Sequence, residues 1–509
     1  MTMPSKNPRI LIVTPEVTYL PDRMRSFASY LTAKAGGLAD VSASLISSLF
    51  KQGADVHVAL PNYRAIFRER LAPFLEKEQR AIRKVMPDDR VHLAEDRAFF
   101  YLNRVYTDYE GQNTTVALAF QREVINNIIP RVYPDLIHCN DWMTGLIPAV
   151  ARQMGIPCLF TIHNIHTVKS TLSEIENKGI DAQAFWQHLY FEHIPDGYWN
   201  SRHDNPIDFL LSGIFAAHFV NTVSPNFLKE IIDGRHAFID EKLKQELSNK
   251  YYAGCAFGIL NSPDPGFNPG TDKRLAFNYG PPDHAAAKKK NKVVLQKMLA
   301  LVEDENAPVF FWPSRLDPIQ KGCRLLADIL YTVISKFWED TLQIIFVANG
   351  DFQSIFWDIL NFHKFYDRVA ICDFDENLEH LAYGASDFIL MPSRFEPCGL
   401  PQMIAPIYGA LPVAYDTGGI HDTISHMDWE NNAGNGFLFE THDAGGLLWA
   451  MEQAMGFFKL PPHVKEAQIE RVMIESASVF NHSVTARQYI DLYEKMLKRP
   501  LVSTPESGA

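Results

Sequence analysis

Short apolar runs that end in turn residues recur along the whole chain and constrain its fold more than any other feature. Most of these runs are continuously apolar and do not alternate with polar residues, which is typical of strands buried on both faces of a parallel sheet. In the first half the runs are RILIVTP (9–15), DVHVALP (55–61), DLIHCND (135–141), CLFTIHN (158–164) and FVNTVSP (219–225). Helix-length segments such as 37–53 separate them. The first half is therefore predicted to be a doubly wound α/β domain.

A second series of the same kind predicts a second domain. Its runs are APVFFWPSR (307–315), LQIIFVANG (342–350), RVAICDF (368–374), DFILMPS (387–393) and LPVAYDT (411–417). The segment 261–284 between the two series is rich in Pro and Gly and predicts a boundary. We expect domains at 1–265 and 266–480. The Lys run 288–292 is expected to be the solvated start of a helix.

Composition excludes several classes of function. A chain of 509 residues that is 47% hydrophobic is long enough for two large cores. The formal net charge of −12 disfavours nucleic-acid and anionic-membrane surfaces, which need clustered Lys and Arg. The six cysteines include no CxxC pair and predict free thiols in the cytoplasm. The N-terminal apolar run is too short for a signal or a membrane span.

Two segments carry cations suited to a phosphate ligand. In KAGGLADV (34–41), Lys34 precedes Gly36 and Gly37 at a predicted helix start, where backbone N–H groups can approach an anion. On spacing alone, an ordinary Gly-rich helix entry is the favoured interpretation. In SRLDPIQKG (314–322), Arg315 and Lys321 follow a strand and could neutralise a diphosphate. A pair of solvated surface cations explains that segment about as well.

Polar residues also follow two strands of the first series. Asp141 in HCNDW and His163 and Asn164 in TIHNIH are placed to meet the hydroxyls of a sugar-like ligand, although structural hydrogen bonds explain each one separately. The pair His163 and His166 lacks the further ligands of a metal site, and no metal is predicted. The acidic stretch DFDE (373–376) is interpreted as a solvated loop.

The stretch SRFEPCGLPQ (393–402) places a single acid, Glu396, in a turn between a strand and a helix that is predicted to begin near Pro401. We expect Glu396 to point into a cleft between the two domains and to accept hydrogen bonds from sugar hydroxyls. The alternative is a carboxylate that caps the helix. The Gly pair of YDTGG (415–419) predicts a further anion-binding turn.

These blocks, together with TVSP and GILN, occur in the order and spacing of bacterial glycogen synthases and plant starch synthases, which the chain resembles over residues 8–495. The resemblance implies the GT-B fold, two Rossmann-like domains facing across a cleft. It also implies that a helix at 481–500 returns to the first domain. The implied reaction transfers glucose, with retention, from a nucleotide sugar to the non-reducing end of an α-1,4-glucan.

The resemblance also implies roles for individual residues. Lys34, Gly36 and Gly37 would contact the phosphate end of the donor, Arg315 and Lys321 would stabilise the leaving diphosphate, and Glu396 would hold the donor glucose. Asp141, His163 and Asn164 would face the glucose and the acceptor. The remaining implied substrate-binding residues are Cys398, Gly399, Leu400, Thr417, Gly418 and Gly419.

The expected partners are a nucleotide-sugar donor, ADP-glucose in preference to UDP-glucose, and an α-glucan acceptor, with no cofactor. The family mechanism implied here is a same-face substitution in which the leaving phosphate helps to deprotonate the incoming hydroxyl. Two alternatives remain at this point. One is a retaining GT-B transferase that makes a disaccharide, and the other is an inactive glucan-binding or regulatory protein on the same scaffold.

Overall fold

The computed structural model describes residues 7–24, 28–67, 89–107 and 109–502. The chain divides into two compact units. Unit 1 comprises Met1–Asn261 together with His482–Ala509, and unit 2 comprises Ser262–Asn481.

Within the described residues, unit 1 is built on a parallel sheet of seven strands in the order β3-β2-β1-β4-β5-β8-β9. The strands are β1 (Arg9–Val13), β2 (Asp55–Pro61), β3 (Val91–Ala94), β4 (Leu136–Asn140), β5 (Cys158–Ile162), β8 (Phe219–Thr222) and β9 (Ala256–Gly258). A separate antiparallel pair consists of β6 (Lys169–Ser170) and β7 (Ile207–Asp208). The chain reverses its direction of winding between β1 and β4. Such switch points are where open α/β sheets place ligands.

Helices lie between most of the strands of unit 1 in the sequence. The α-helices are Gly37–Lys51, Arg97–Phe100, Glu110–Glu123, Ile129–Val132, Ile147–Gln153, Leu172–Asn177, Tyr198–Ser201, Phe209–Ala216, Pro225–Ile232, Glu241–Tyr252 and His482–Leu497. Short 3-10 helices are Asp22–Met24, Ala28–Tyr30, Trp142–Thr144, Ala182–Ala184 and Trp186–His188, and Val124–Ile128 is a π-helical turn.

Unit 2 contains a parallel sheet of six strands in its described residues, in the order β12-β11-β10-β13-β14-β15. The strands are β10 (Val309–Trp312), β11 (Gln343–Val347), β12 (Val369–Cys372), β13 (Phe388–Met391), β14 (Leu411–Tyr415) and β15 (Phe437–Phe439). The switch point lies between β10 and β13.

The helices of unit 2 alternate with these strands. They are Pro281–Asp283 (3-10), His284–Met298, Cys323–Lys336, Gln353–His363, Glu376–Ala385, Pro401–Ile407, Gly418–Thr423, Ala444–Phe458 and Pro462–Val479. This alternation supplies the helical crossovers that parallel neighbouring strands need.

Burial on both faces explains the apolar runs of unit 2. Along β10, Phe310 and Trp312 pack into one hydrophobic cluster while Val309 and Phe311 pack into another. Successive side chains of a strand point to opposite faces, so both faces of the sheet are covered. The predicted pair of doubly wound α/β halves is confirmed.

The helix His482–Leu497 belongs to unit 1 although it lies at the end of the chain. The Tyr493 hydroxyl lies 2.7 Å from His138 Nδ1, and the Asn221 amide donates to the Tyr489 hydroxyl at 2.9 Å. The last helix therefore supplies hydrogen-bond partners for His138 Nδ1 of β4 and for the Asn221 amide nitrogen of β8.

The observed strands lie inside the apolar runs predicted for them, and the helix predicted at 37–53 runs from Gly37 to Lys51. The prediction of a solvated Lys run at 288–292 was wrong for Lys288 and Lys292, whereas Lys289 and Lys290 are exposed. Lys288 and Lys292 are 5% and 3% exposed, because a spacing of four places both on the inner face of one helix. Lys288 Nζ donates to the Tyr408 carbonyl at 2.9 Å, and Lys292 pairs with Asp387 at 2.7 Å.

None of the helices in the described residues is both long enough and apolar enough to cross a bilayer.

Candidate active site

The predicted site residues follow the carboxyl ends of strands at or beside the two switch points. The KAGG loop (34–37) follows β1, Asp141 follows β4 and His163 follows β5. In unit 2, Lys321 follows β10 and Glu396 follows β13. Each unit therefore brings its own candidates to one edge of its sheet.

The KAGG loop of unit 1 is held by an acid that the sequence analysis did not identify. Glu16 Oε2 accepts the amide N–H groups of Ala35 at 2.7 Å and of Gly36 at 3.1 Å. Glu16 Oε1 accepts the hydroxyl of Tyr106 at 3.0 Å. Burial raises the pKa of Glu16, and these three hydrogen bonds oppose that rise.

Lys34 lies at the start of the same loop with its side chain about half exposed. Its ammonium lies 2.9 Å from Asp40 Oδ2, and Asp40 Oδ1 accepts the hydroxyl of Thr18 at 2.6 Å. Asp40 sits in the first turn of the helix that begins at Gly37, where the helix dipole favours a carboxylate. The direction of the Lys34 side chain is therefore set by the first turn of that helix.

Asp141 is buried directly after β4 and accepts hydrogen bonds from the loop after β5. Its Oδ1 accepts the His163 amide at 2.7 Å and the Asn164 amide at 3.4 Å, and its Oδ2 accepts the Asn164 side-chain amide at 3.0 Å. Burial is the main cause that raises the pKa of Asp141 to about 7, and the nearby charge of Glu16 adds to it. Asp141 thus ties the ends of two neighbouring strands together.

The backbone of Asp141 is strained. Its φ of 57° and ψ of 176° lie outside the regions that residues with a Cβ normally adopt. Strain of this kind persists only where surrounding contacts impose it, and it clusters at functional sites. The three hydrogen bonds of the Asp141 carboxylate are contacts of that kind.

His163 is half-buried, and burial lowers its pKa to about 3, so the imidazole is neutral near pH 7. Its Nε2 lies 3.0 Å from Asn140 Oδ1, and the Asn140 amide nitrogen donates to the Val13 carbonyl at 3.2 Å. Since Asn140 Oδ1 can only accept, Nε2 carries the proton and Nδ1 is left as an acceptor. A neutral acceptor of this kind suits a hydroxyl group.

In unit 2, the structure joins two predicted residues that lie 75 positions apart. Lys321 Nζ lies 2.5 Å from Glu396 Oε2, and the two side chains are 12% and 8% exposed. An ammonium has three N–H donors, so two remain for another ligand. The pair couples the loop after β10 to the loop after β13 across the switch point.

Arg315, from the same loop as Lys321, is exposed. Within the described residues its guanidinium forms no ion pair or side-chain hydrogen bond. The loop itself is anchored by the Leu316 amide, which donates to the Asn349 carbonyl at 2.9 Å. Arg315 is therefore a cation held at the sheet edge without an internal partner.

The loop of Glu396 packs closely against the Gly pair after β14. The Gly419 amide donates to the Glu396 carbonyl at 2.9 Å. A Cβ on Gly418, whose φ is 45°, would lie 2.0 Å from the Glu396 carbonyl oxygen, and one on Gly419 would lie 2.1 Å from the Cys398 carbonyl oxygen. The glycines thus have a packing reason to be there, and their predicted contact with substrate stays a prediction.

The other residues of these two loops are placed as follows. Cys398 is buried, and its carbonyl accepts the Gln402 side-chain amide at 2.6 Å. Gly399 and Leu400 precede the helix Pro401–Ile407, and Thr417 is the buried N-cap residue of Gly418–Thr423. Their substrate contacts also stay predictions.

Sequence analysis missed Glu16, Tyr106 and Asp40. Glu16 stands directly after the first apolar run, so the rule that polar residues at strand ends line the site identifies it. Tyr106 carries no local signal, because it meets Glu16 across 90 positions of sequence. The described residues also contain no cluster of three or more His, Cys, Asp or Glu side chains that could hold a metal ion.

Comparison with protein families identifies both units. A family model described as "Starch synthase catalytic domain" matches residues 9–245, and one described as "Glycosyl transferases group 1" matches residues 307–456. The chain is 32% identical to the glycogen synthase of Moorella thermoacetica, over 96% of this chain and 97% of the relative. It is also 32% identical to the glycogen synthase of Kosmotoga olearia, over 93% and 97%.

Solved structures show the same relationship. The catalytic domain of starch synthase IV from Arabidopsis thaliana, bound to ADP and acarbose, matches with a TM-score of 0.76 and 25% identity, over 97% of this chain and 100% of that one. Sucrose-phosphate synthase from Thermosynechococcus elongatus matches with a TM-score of 0.57 at 16% identity, over 96% and 99%, and shows the fold alone.

The resemblance in the sequence motifs is thereby confirmed, and with it the GT-B fold of two Rossmann-like units. The chain belongs to the glycogen synthase and starch synthase family of glycosyltransferases, the enzymes that transfer glucose to a glucan.

Proposed function

We propose that this enzyme uses ADP-glucose and transfers its glucose, with retention, to the 4-hydroxyl at the non-reducing end of an α-1,4-glucan. One observation carries the proposal, the Lys321–Glu396 pair at the switch point of unit 2, with the exposed Arg315 in the same loop as Lys321. The choice of donor is supported by the Arabidopsis starch synthase IV structure, which was solved with ADP bound.

The cations of unit 2 act on the leaving group. When the bond between glucose C1 and the phosphate oxygen breaks, negative charge grows on the diphosphate and positive charge on the sugar ring. The remaining N–H donors of Lys321 and the fork of Arg315 stabilise the diphosphate, and fixed charges of this kind supply a large part of catalysis. Glu396, held by Lys321, presents its other oxygen to the hydroxyls of the donor glucose.

The acceptor oxygen then bonds to C1 on the face that the diphosphate leaves, and its proton passes to a phosphate oxygen. This proton balance needs no side chain as a base. In unit 1, neutral His163, Asn164 and the buried Asp141 supply hydrogen-bonding groups for glucose and acceptor hydroxyls. Lys34, Gly36 and Gly37 act at the phosphate end of the donor.

We accordingly assign acceptor recognition and the KAGG loop to residues 1–265, and donor binding to residues 266–480. The helix 481–500 completes the first of these domains. We also propose a cytoplasmic location, because the six cysteines are free thiols, as is typical of reducing compartments.

A donor comparison tests the proposal. Purified enzyme is incubated with ADP-glucose or UDP-glucose, with and without glycogen, and nucleotide release is measured together with incorporation of labelled glucose. We expect glycogen-dependent release of ADP, a preference for ADP-glucose, and label in a polymer that an enzyme specific for α-1,4 bonds degrades. A labelled disaccharide, or glycogen binding without nucleotide release, would contradict the proposal.

A further inference from the structure

The carboxylate of Glu16 is turned entirely into the protein. The residue is 2% exposed, and its two oxygens accept three donors, the amides of Ala35 and Gly36 and the hydroxyl of Tyr106. A buried carboxylate with this many donors is held firmly, since each broken bond leaves a buried polar group unpaired. Glu16 thus occupies amides of the same loop that resembles a phosphate-binding turn.

The backbone around Glu16 is equally constrained. The Glu16 carbonyl accepts the Thr14 hydroxyl at 2.9 Å. The next residue, Val17, forms a reciprocal pair of hydrogen bonds with Ala33, at 2.9 and 2.8 Å. The backbone of Glu16 is therefore held on both sides, and the carboxylate can leave the loop only by a side-chain rotation that breaks its own three hydrogen bonds.

These contacts hold the backbone on both sides of Lys34 and pair its ammonium. Its neighbour Ala33 is bound by Val17, its neighbour Ala35 is bound by Glu16, and its ammonium is bound by Asp40. The amide of Gly37, the first residue of its helix, is one of the N–H groups that a helix leaves unpaired. Within the KAGG loop, Glu16 therefore occupies the Ala35 and Gly36 amides, whereas the Lys34 ammonium, paired with Asp40, keeps about half of its side chain exposed.

We propose that Glu16 is a positioning residue. Its carboxylate accepts the Ala35 and Gly36 amides of the KAGG loop and thereby orients Lys34 and the Gly37 amide toward the donor phosphate. The inference rests on the proposed function, because it assumes that this loop meets the donor. It also narrows that proposal, since the Gly36 amide is assigned to Glu16 instead of the phosphate.

Three substitutions separate the effect of the length of the Glu16 side chain from the effect of its charge. In E16Q, the amide oxygen can still accept both loop N–H groups, so we expect the donor KM to stay within roughly threefold and kcat to be unchanged. In E16D, the charge is kept but the shorter side chain cannot reach the amides. In E16A both are lost. We expect a donor KM at least roughly tenfold higher in E16D and E16A.

A matched control removes a similar carboxylate elsewhere in unit 1. Asp208 is 6% exposed and accepts the Leu211 amide at 2.8 Å and the Thr167 hydroxyl at 2.7 Å. D208N should lower the thermal unfolding temperature and leave the donor KM unchanged. If E16D and E16A raised the donor KM no more than D208N does, Glu16 would be merely structural and the inference would be wrong.

Other outcomes would overturn the inference in different ways. A lower donor KM in E16A or E16Q would show that the carboxylate competes with the phosphate. A loss of kcat of roughly a hundredfold or more in E16Q would show proton transfer by Glu16. If E16A does not fold, the contrast between E16D and E16Q decides the question.

A substitution of Lys34 separates this inference from the proposed function. If the loop meets the donor, K34A raises the donor KM, and E16A added to K34A raises it little further, because both act through one group. If K34A leaves the donor KM unchanged, the proposed role of the loop fails, and the inference fails with it. If K34A raises the donor KM but E16D and E16A do not, the inference alone is wrong.

Discussion

The carboxylates at the two sheet edges are held in different ways. In unit 1, Glu16 and Asp141 accept backbone amides from neighbouring loops, and burial raises the pKa of both. In unit 2, Glu396 is paired with the ammonium of Lys321, and Arg315 in the loop of Lys321 is exposed. Two units of one fold therefore place different chemistry at corresponding switch points. The neutral and amide groups around Asp141 suit sugar hydroxyls, whereas the cations of unit 2, like Lys34 of the KAGG loop, suit a diphosphate.

The substitution of Lys321 is expected to have the largest effect on activity. K321A removes a cation that the proposal places on the leaving diphosphate, so we expect kcat to fall by about 10²–10³-fold, or roughly 3–4 kcal/mol of barrier. The measurement is ADP release from ADP-glucose with saturating glycogen.

Lys336 provides the control for that experiment. It forms an ion pair with Glu452 at 2.5 Å, the same separation as the Lys321–Glu396 pair, but the two side chains are 48% and 34% exposed. K336A should leave kcat unchanged. Equal activities of K321A and K336A would remove the basis for assigning the diphosphate to unit 2.

A second effect concerns the buried carboxylate of unit 1. The pKa of Asp141 is raised from 3.8 to about 7 in the folded protein, so folding favours its protonated form. Its contribution to stability is present below about pH 4 and is lost as the pH rises through about 7. In urea unfolding, the free energy of unfolding of wild type minus that of D141N should therefore change by a few kcal/mol across that pH range. A difference independent of pH would refute this account of Asp141.

A third comparison uses the glycines of the two Gly pairs. A Cβ on Gly419 would lie 2.1 Å from the Cys398 carbonyl, whereas a Cβ on Gly36, whose φ is −160°, would have no atom within 4 Å. We expect G419A to destabilise unit 2 by about 1–3 kcal/mol and to lower kcat, since it shifts the Glu396 loop. G36A should change neither the stability nor kcat. Thermal unfolding and kcat of the two variants decide this, and similar losses in both would contradict it.

The smallest effect is expected at Arg315, because its guanidinium is exposed to water. R315A should lower kcat about tenfold, and R315K should recover only part of the loss because lysine lacks the bidentate fork. Steady-state rates at several salt concentrations measure this, since exposed charges are screened. Full activity of R315K would show that Arg315 acts only as a point charge.

The strands could be predicted from sequence because burial on both faces leaves continuous apolar runs with turn residues at their ends. The same rule located Asp141, His163, Lys321 and Glu396 at strand ends. It missed β3, β6, β7, β9 and β15, whose two to four residues are too short to stand out.

Long-range contacts explain what sequence reasoning could not supply. Lys288 and Lys292 looked solvated because their acceptors, Tyr408 and Asp387, lie 120 and 95 positions away. The KAGG amides looked open to a phosphate because Glu16 stands 19 positions before Ala35 and no local pattern joins them. Motif spacing therefore identified the loops, and the packing determined which of their groups remain for a ligand.

The central claim is that Lys321 and Glu396 act on the donor as one unit, and a double-mutant cycle on kcat with ADP-glucose and glycogen tests it most directly. We expect the kcat of K321A/E396Q to be at most roughly threefold lower than that of K321A, because the losses of residues that act together are not additive. Losses that multiply across the two single variants would contradict the claim.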